Sequence, residues 1–306
     1  VTIHNGPAVV VEGLRKDYGR NTAVQDVSFE VERGEIFGLL GPNGSGKTTT
    51  VECIQALRQP TSGKMRVLGL DPQTEPDQVR RHIGSQLQET ALPDRIKVWE
   101  ALRLAATLAQ TPGDWEALLE QWGLAEKRNA SFHSLSGGQR QRLFVALALV
   151  NRPSVVFLDE MTTGLDPNAR RVAWDLVRRI RDQGATVVMV THFMDEAENL
   201  CDRIAVLSGG RIVAGGTPQS LVTEHGGEVR LRFSTDAEEL PDLEATGVSR
   251  ISRHGDSVEL VAPADRTARV AHVLISGGID PLDFRVVQPS LEDVYLDIIG
   301  SAEDMS

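Results

Sequence analysis

One stretch constrains this chain more than any other: "GEIFGLLGPNGSGKTTTVECIQAL", Gly34 to Leu57. A short apolar run suited to a buried strand enters a glycine-rich loop, and the loop opens a helix, which is the setting a phosphate loop requires. Gly41, Pro42, Asn43, Gly44, Ser45, Gly46, Lys47 and Thr48 match that motif at every position, with Thr49 following. The glycines let backbone N–H groups wrap phosphates at the positive end of the helix. Lys47 is expected to reach the β- and γ-phosphates, and Thr48 to place its hydroxyl on Mg²⁺. The motif predicts nucleoside triphosphate binding and by itself leaves many families open.

A second motif narrows the choice. "SVVFLDE" reads as a strand ending in the acid pair Asp159 and Glu160. At a strand end beside a phosphate loop, Asp159 can hold the metal through water, and Glu160 can orient or deprotonate an attacking water. A third stretch, "SLSGGQRQR" from Ser134 to Arg142, carries a hydroxyl, two adjacent glycines and an amide but no lysine within the loop. Such a loop suits a phosphate whose charge is already balanced by Lys47 and Mg²⁺.

With these residues in place, the sequence resembles the ATP-binding-cassette ATPases, whose signature LSGGQ stands here as Leu135 to Gln139. The resemblance implies that Ser136, Gly137, Gly138 and Gln139 read the γ-phosphate of ATP held in the glycine loop of a second, antiparallel copy. It implies further that Tyr18 in "KDYG" stacks on adenine. Gln88 in "IGSQLQE" would be the hinge glutamine that meets Mg²⁺ and water and senses the membrane partner, with Gln86 a nearby competitor. Asp166 in "TTGLDP" would be the acidic residue of the loop between protomers, and His192, ending "VVMVTH", the switch histidine on the γ-phosphate. One departure is Met161, where the family usually has proline after the catalytic Glu.

The resemblance covers roughly Val9 to Val222. It implies an α/β fold: a phosphate-loop core of the RecA-like kind, an antiparallel β-subdomain and a helical subdomain at about 89–152. The pattern of the chain agrees. Short β-branched runs from Val9 to Val31 read as antiparallel strands, "WEALRLAATLAQ" and "WEALLEQWGL" as helices, and "SVVFLDE" and "ATVVMVTH" as strands of a covered parallel sheet. Composition shifts near "TEHGGE", which divides the chain into 1–223 and a small α+β domain, 224–306. The ending "QPSLEDVYLDIIG" resembles the tail of ATPase subunits in drug- and polyketide-exporter systems, including the daunorubicin-resistance type, whose permease is a separate polypeptide of the ABC-2 class.

Bulk properties set limits on rival functions. The net charge of -11 argues against nucleic acid as a partner, since phosphate neutralisation needs clustered Lys and Arg. Cys53 and Cys201 form neither a disulfide framework nor a metal pattern and are expected to be small buried residues. No stretch approaches the roughly 20 apolar residues of a membrane span, and the N-terminus lacks the form of a secretory signal. The expectation is a cytoplasmic ATPase, peripheral at the inner face of the membrane, working as an ATP-dependent homodimer on separate permease subunits. A soluble cassette ATPase acting on ribosomes or DNA is the first rival. Such relatives typically carry two cassettes, long coiled-coil insertions or basic arms, and none of these is read here. An importer ATPase with a regulatory tail is the second, against which stand the length and ending of the appendage.

Overall fold

Alternation of apolar and polar residues builds the first two strands, β1 (Val9–Tyr18) and β2 (Asn21–Val31), which pair antiparallel. Their buried residues are Val9, Val11 and Leu14 on β1 and Val24, Val27 and Val31 on β2. The computed structural model describes residues 6–86, 92–109, 113–225, 228–237, 239–279 and 282–304. The chain then enters β3 (Ile36–Leu40), buried at every position, and α1 (Lys47–Ile54). It returns as β4 (Ser62–Val67) to the free edge of β1, completing a three-stranded sheet in the order β2-β1-β4. Sequence pattern does not mark β4, because "SGKMRV" lies at an edge and buries only Met65 and Val67.

After α2 (Pro76–His82) and β5 (Ile83–Gln86) comes the helical stretch, with α3 (Val98–Leu108), α4 (Trp115–Gln121) and α5 (Gly137–Leu149). The core resumes with β6 (Val155–Asp159), α6 (Pro167–Asp182), β7 (Thr186–Thr191), α7 (Met194–Leu200), β8 (Arg203–Ser208) and β9 (Arg211–Gly216). Six strands form one sheet in the order β5-β6-β7-β3-β8-β9. All neighbours are parallel except β8 and β9, an antiparallel hairpin turning at Gly209 and Gly210, both with positive φ. The unbroken apolar runs of β3, β6 and β7 follow from burial on both faces. The two sheets share a core through α1: Phe29 stacks on Phe37 at 5.1 Å, and Leu39, Val51 and Ile54 join Val9 and Val27. Cys53 and Cys201 are free and buried, as expected, and burial pushes the Cys53 thiol up to about 11.

The chain divides into two compact units, Val1–Thr217 and Pro218–Ser306. The division precedes α8 (Pro218–His225), whereas the composition shift lies after it. The reason is packing: α8 contacts the last helix of its own unit, and Leu221, Leu291, Val294 and Tyr295 are buried. The second unit continues with β10 (Glu228–Ser234), β11 (Arg250–His254), β12 (Ser257–Pro263), α9 (Thr267–Ser276), β13 (Leu282–Val287) and that last helix, α10 (Leu291–Asp304). Its antiparallel sheet runs β11-β12-β10-β13, and Val229, Leu231, Phe233, Val258, Leu260 and Ala262 share a core with Val270 and Leu274 of α9.

Candidate functional site

Parallel pairing brings three strand ends to one edge. Leu40 lies beside Thr191 in the β3–β7 register, and Asp159 beside Val190 in the β6–β7 register. The glycine loop, the acid pair and His192 therefore emerge together at the carboxyl ends of the strands, where open α/β sheets bind ligands.

Two of the loop's glycines, Gly41 and Gly46, are demanded by close backbone approach. A Cβ on Gly41 would meet the Leu207 carbonyl at 2.2 Å, and one on Gly46 the Ala23 carbonyl at 2.4 Å. Gly46 also has φ 103, left-handed backbone that starts α1 without a side-chain cap, so its first N–H groups stay available. Lys47 is buried, and its ammonium donates to the carbonyls of Gly41 at 2.8 Å and Pro42 at 2.9 Å. Burial holds its pKa below the usual lysine value, while the carboxylates of Glu160 and Asp159 oppose that shift.

Asp159 is buried, and burial pushes its carboxyl up to about 6 against a hydrogen bond with Thr48 that lowers it. Its Oδ1 and the Oγ of Ser45 are both buried without a hydrogen-bond partner. An orphaned carboxylate oxygen beside a threonine hydroxyl fits a hard cation. Among the described residues no three His, Cys, Asp or Glu side chains converge into a metal cage. A cation here would take its remaining ligands from phosphate oxygens and water, as Mg²⁺ does.

Glu160 follows with φ 48, uncommon for a residue with a side chain, and its N–H donates to the Val190 carbonyl at 2.9 Å. Its Oε1 lies 3.2 Å from Nδ1 of His192, the histidine being about a third exposed at 32% and the glutamate at 11%. The turn at Glu160 thus faces its carboxylate toward the neighbouring strand end.

The signature loop leads into α5. Ser136 caps α5: its hydroxyl accepts from the Gln139 N–H at 3.3 Å, and the Gln139 side chain accepts from the Ser136 N–H at 3.0 Å. This reciprocal box explains why a hydroxyl and an amide stand three residues apart. Asp166 caps α6 one-sidedly, its side chain accepting from the Asn168 and Ala169 N–H groups. A cavity of about 370 Å³ is lined by Ser136 to Gly138 together with Gly164 to Asp166, and by no residue of the glycine loop. Met161, buried, lines it as well. Tyr18, 40% exposed, ends β1, with Lys16 and Arg58 at 5.0 and 5.7 Å from its ring centre. Gln88 lies outside the described residues; Gln86, its competitor, is buried at the end of β5. Sequence reading passed over Thr162, Thr191 and Glu196, buried side chains directly behind the strand ends.

A phosphate loop, a strand-end acid pair and a histidine along one edge of a parallel sheet define a phosphate-loop nucleoside triphosphatase. The family model described as ABC transporter matches residues 24–163. The chain is 37% identical to the Nod factor export ATP-binding protein I of Ralstonia nicotianae over 97% of its own length and 95% of that protein. It is 36% identical to the daunorubicin/doxorubicin resistance ATP-binding protein DrrA of Streptomyces peucetius, over 97% and 94%. Among solved structures, cbiO1 of Clostridium perfringens, part of the ABC transporter complex cbiONQ, superposes with a TM-score of 0.65 at 27% identity, covering 71% of this chain and 91% of that one. The chain belongs to the ABC transporter family. Within it, the chain is an ATPase subunit of an exporter. Among the described residues no helix is long and apolar enough to cross a membrane.

Proposed function

We propose that two copies of this chain close on two ATP molecules and that the closure drives separate ABC-2 permease subunits, with a drug-like or lipid-like compound as cargo. The observation that carries the chemical part is the convergence of Lys47, Asp159, Glu160 and His192 at one sheet edge, with Glu160 and His192 3.2 Å apart. Glu160 aligns and deprotonates the water that attacks the γ-phosphate in line, Lys47 and the glycine-loop N–H groups hold the phosphates, and His192 contacts the γ-phosphate. Thr48 and Asp159, with Gln88, would hold Mg²⁺, which neutralises phosphate charge when bound. Tyr18 stacks on the adenine. Ser136 to Gln139 and Asp166 face the nucleotide held by the other copy, a reading supported by a cavity that Ser136 to Gly138 and Asp166 line and no glycine-loop residue lines.

The permease would sit in a groove beside β5. A groove of about 360 Å³ runs between β5 and the helical stretch, lined by Gly84, Gln86, Leu108, Phe144 and Leu147. Leu108 is 76% exposed there, an apolar side chain suited to a partner's short helix. The names of two relatives support export and a drug-like cargo, since one carries Nod factor export and the other daunorubicin/doxorubicin resistance. Groove occupancy is read by co-purification with the permease of the neighbouring reading frame.

Glu160→Gln tests the chemistry. The amide keeps the shape and cannot accept a proton, so ATP affinity should persist while turnover falls about 10²- to 10⁴-fold. Near wild-type hydrolysis by the purified variant would remove Glu160 from its role.

A further inference from the structure

Glu196 is a carboxylate in the wrong kind of place for one. It lies on α7 and is 1% exposed, and burial of a charge is costly unless hydrogen bonds compensate it. Both of its oxygens are spent on threonine hydroxyls: Oε1 accepts from Thr162, and Oε2 from Thr191 at 2.7 Å. Thr162 stands two residues after Glu160, and Thr191 immediately before His192. The Thr191 oxygen also accepts the Phe193 N–H at 3.0 Å, which locks the chain on the far side of the histidine.

The residues beside Glu196 extend the tie. Asp195 pairs with Arg170 of α6 at 3.0 Å, and the Arg170 guanidinium lies 4.6 Å from the centre of the Phe193 ring. Helix α6 is the one Asp166 caps, and the Leu165 N–H donates to the Thr162 carbonyl. One segment, Phe193 to Glu196, thus grips the end of β6, the end of β7 and the loop leading to α6. Apolar side chains of similar shape at all three positions could pack there at little cost in stability, so stability alone does not call for this carboxylate and its two threonines. Replacing Glu196 alone leaves two buried hydroxyls unpaired, and Tm is therefore read beside kcat.

We infer that Glu196 is a positioning residue for ATP hydrolysis: by binding Thr162 and Thr191 it sets the backbones that carry Glu160 and His192 and couples that pair to the Asp166 loop. The inference rests on the roles proposed above for Glu160 and His192. Hydrolysis tolerates little misplacement of its groups, whereas phosphate binding by the glycine loop does not depend on this tie.

The test uses the full-length protein and measures ATP affinity, kcat, KM and Tm for Glu196→Leu, Glu196→Gln, Thr162→Val and Thr191→Val, with Glu160→Gln in parallel. Glu196→Leu should lower kcat by about 10- to 100-fold, on the scale a misplaced group costs, with ATP affinity nearly unchanged. Glu196→Gln should recover most of that loss, since its amide accepts from one threonine and donates to the other, which rotates its hydroxyl. Each threonine variant replaces a hydroxyl with a methyl of similar shape and should lower kcat part of the way. They decide the matter if Glu196→Leu does not fold. The inference is overturned if the threonine variants keep wild-type kcat, or if Glu196→Leu shifts Tm while kcat per folded molecule holds. An active Glu160→Gln would instead overturn the underlying assignment, whereas an inactive Glu160→Gln beside active Glu196 and threonine variants would sink this inference alone.

Discussion

At the scale of single residues, charge is held where water is scarce, and Asp159 shows the consequence. Its carboxyl titrates at about 6 when folded against an ordinary value of 3.8, because burial disfavours the anion. The folded state therefore binds the proton more tightly than the unfolded chain. The neutral carboxyl adds no penalty below about pH 4, and the folded state loses stability relative to the unfolded one as pH rises through about 6. Asp159→Asn removes that dependence. In chelator and without nucleotide, the wild type should lose on the order of 2–3 kcal/mol relative to Asp159→Asn between pH 4 and pH 7, by the linkage of a two-unit shift. Denaturant unfolding of both proteins across that range measures it, and a constant difference would mean that Asp159 ionises as an exposed aspartate does. Such a destabilised anion is what a bound cation relieves.

At the scale of elements, the same residues serve local structure and the proposed site together. Ser136 and Gln139 form the capping box of α5, and Asp166 caps α6. Ser136→Ala should cost about 1 kcal/mol of stability, the usual value of an N-cap hydroxyl, in chemical denaturation. Stability unchanged by that substitution would mean the box does not hold α5 in solution. Legibility also varied by element for physical reasons. β3, β6 and β7 are readable because each is buried on both faces and so is apolar throughout. β4 is hidden because an edge strand buries two side chains and leaves the rest to water. The α10 segment "LEDVYLDIIG" was legible by resemblance before its helical form was, since its apolar face is matched by α8 rather than by any neighbour in sequence.

At the scale of the whole molecule, the proposed working unit is two chains. If the signature loop reads the other copy's ATP, Ser45 and Ser136 lie close only across that dimer. In a Glu160→Gln background with Cys53→Ala and Cys201→Ala, the pair Ser45→Cys and Ser136→Cys should give a disulfide-linked dimer when ATP is present, because a disulfide needs Cα atoms within about 7 Å. Non-reducing electrophoresis reads the outcome. A bond within one chain would return the signature loop to its own site, and dimers indifferent to ATP would leave the nucleotide without a switching role. Sequence alone determined which chemistry the chain carries, because Gly41 to Thr48, Asp159–Glu160 and Leu135 to Gln139 are contiguous motifs whose residue types and order suffice. Tertiary structure alone decided which ordinary residues stand behind that chemistry. Glu196 lies among Asp195 and Glu198, acids of the same kind, and nothing in "THFMDEAENL" separates them. Only the packing of α7 against the strand ends turns one of the three inward, into contact with Thr162 and Thr191. Contacts between residues distant along the chain depend on how strands are ordered in the sheet, and no local pattern encodes that order.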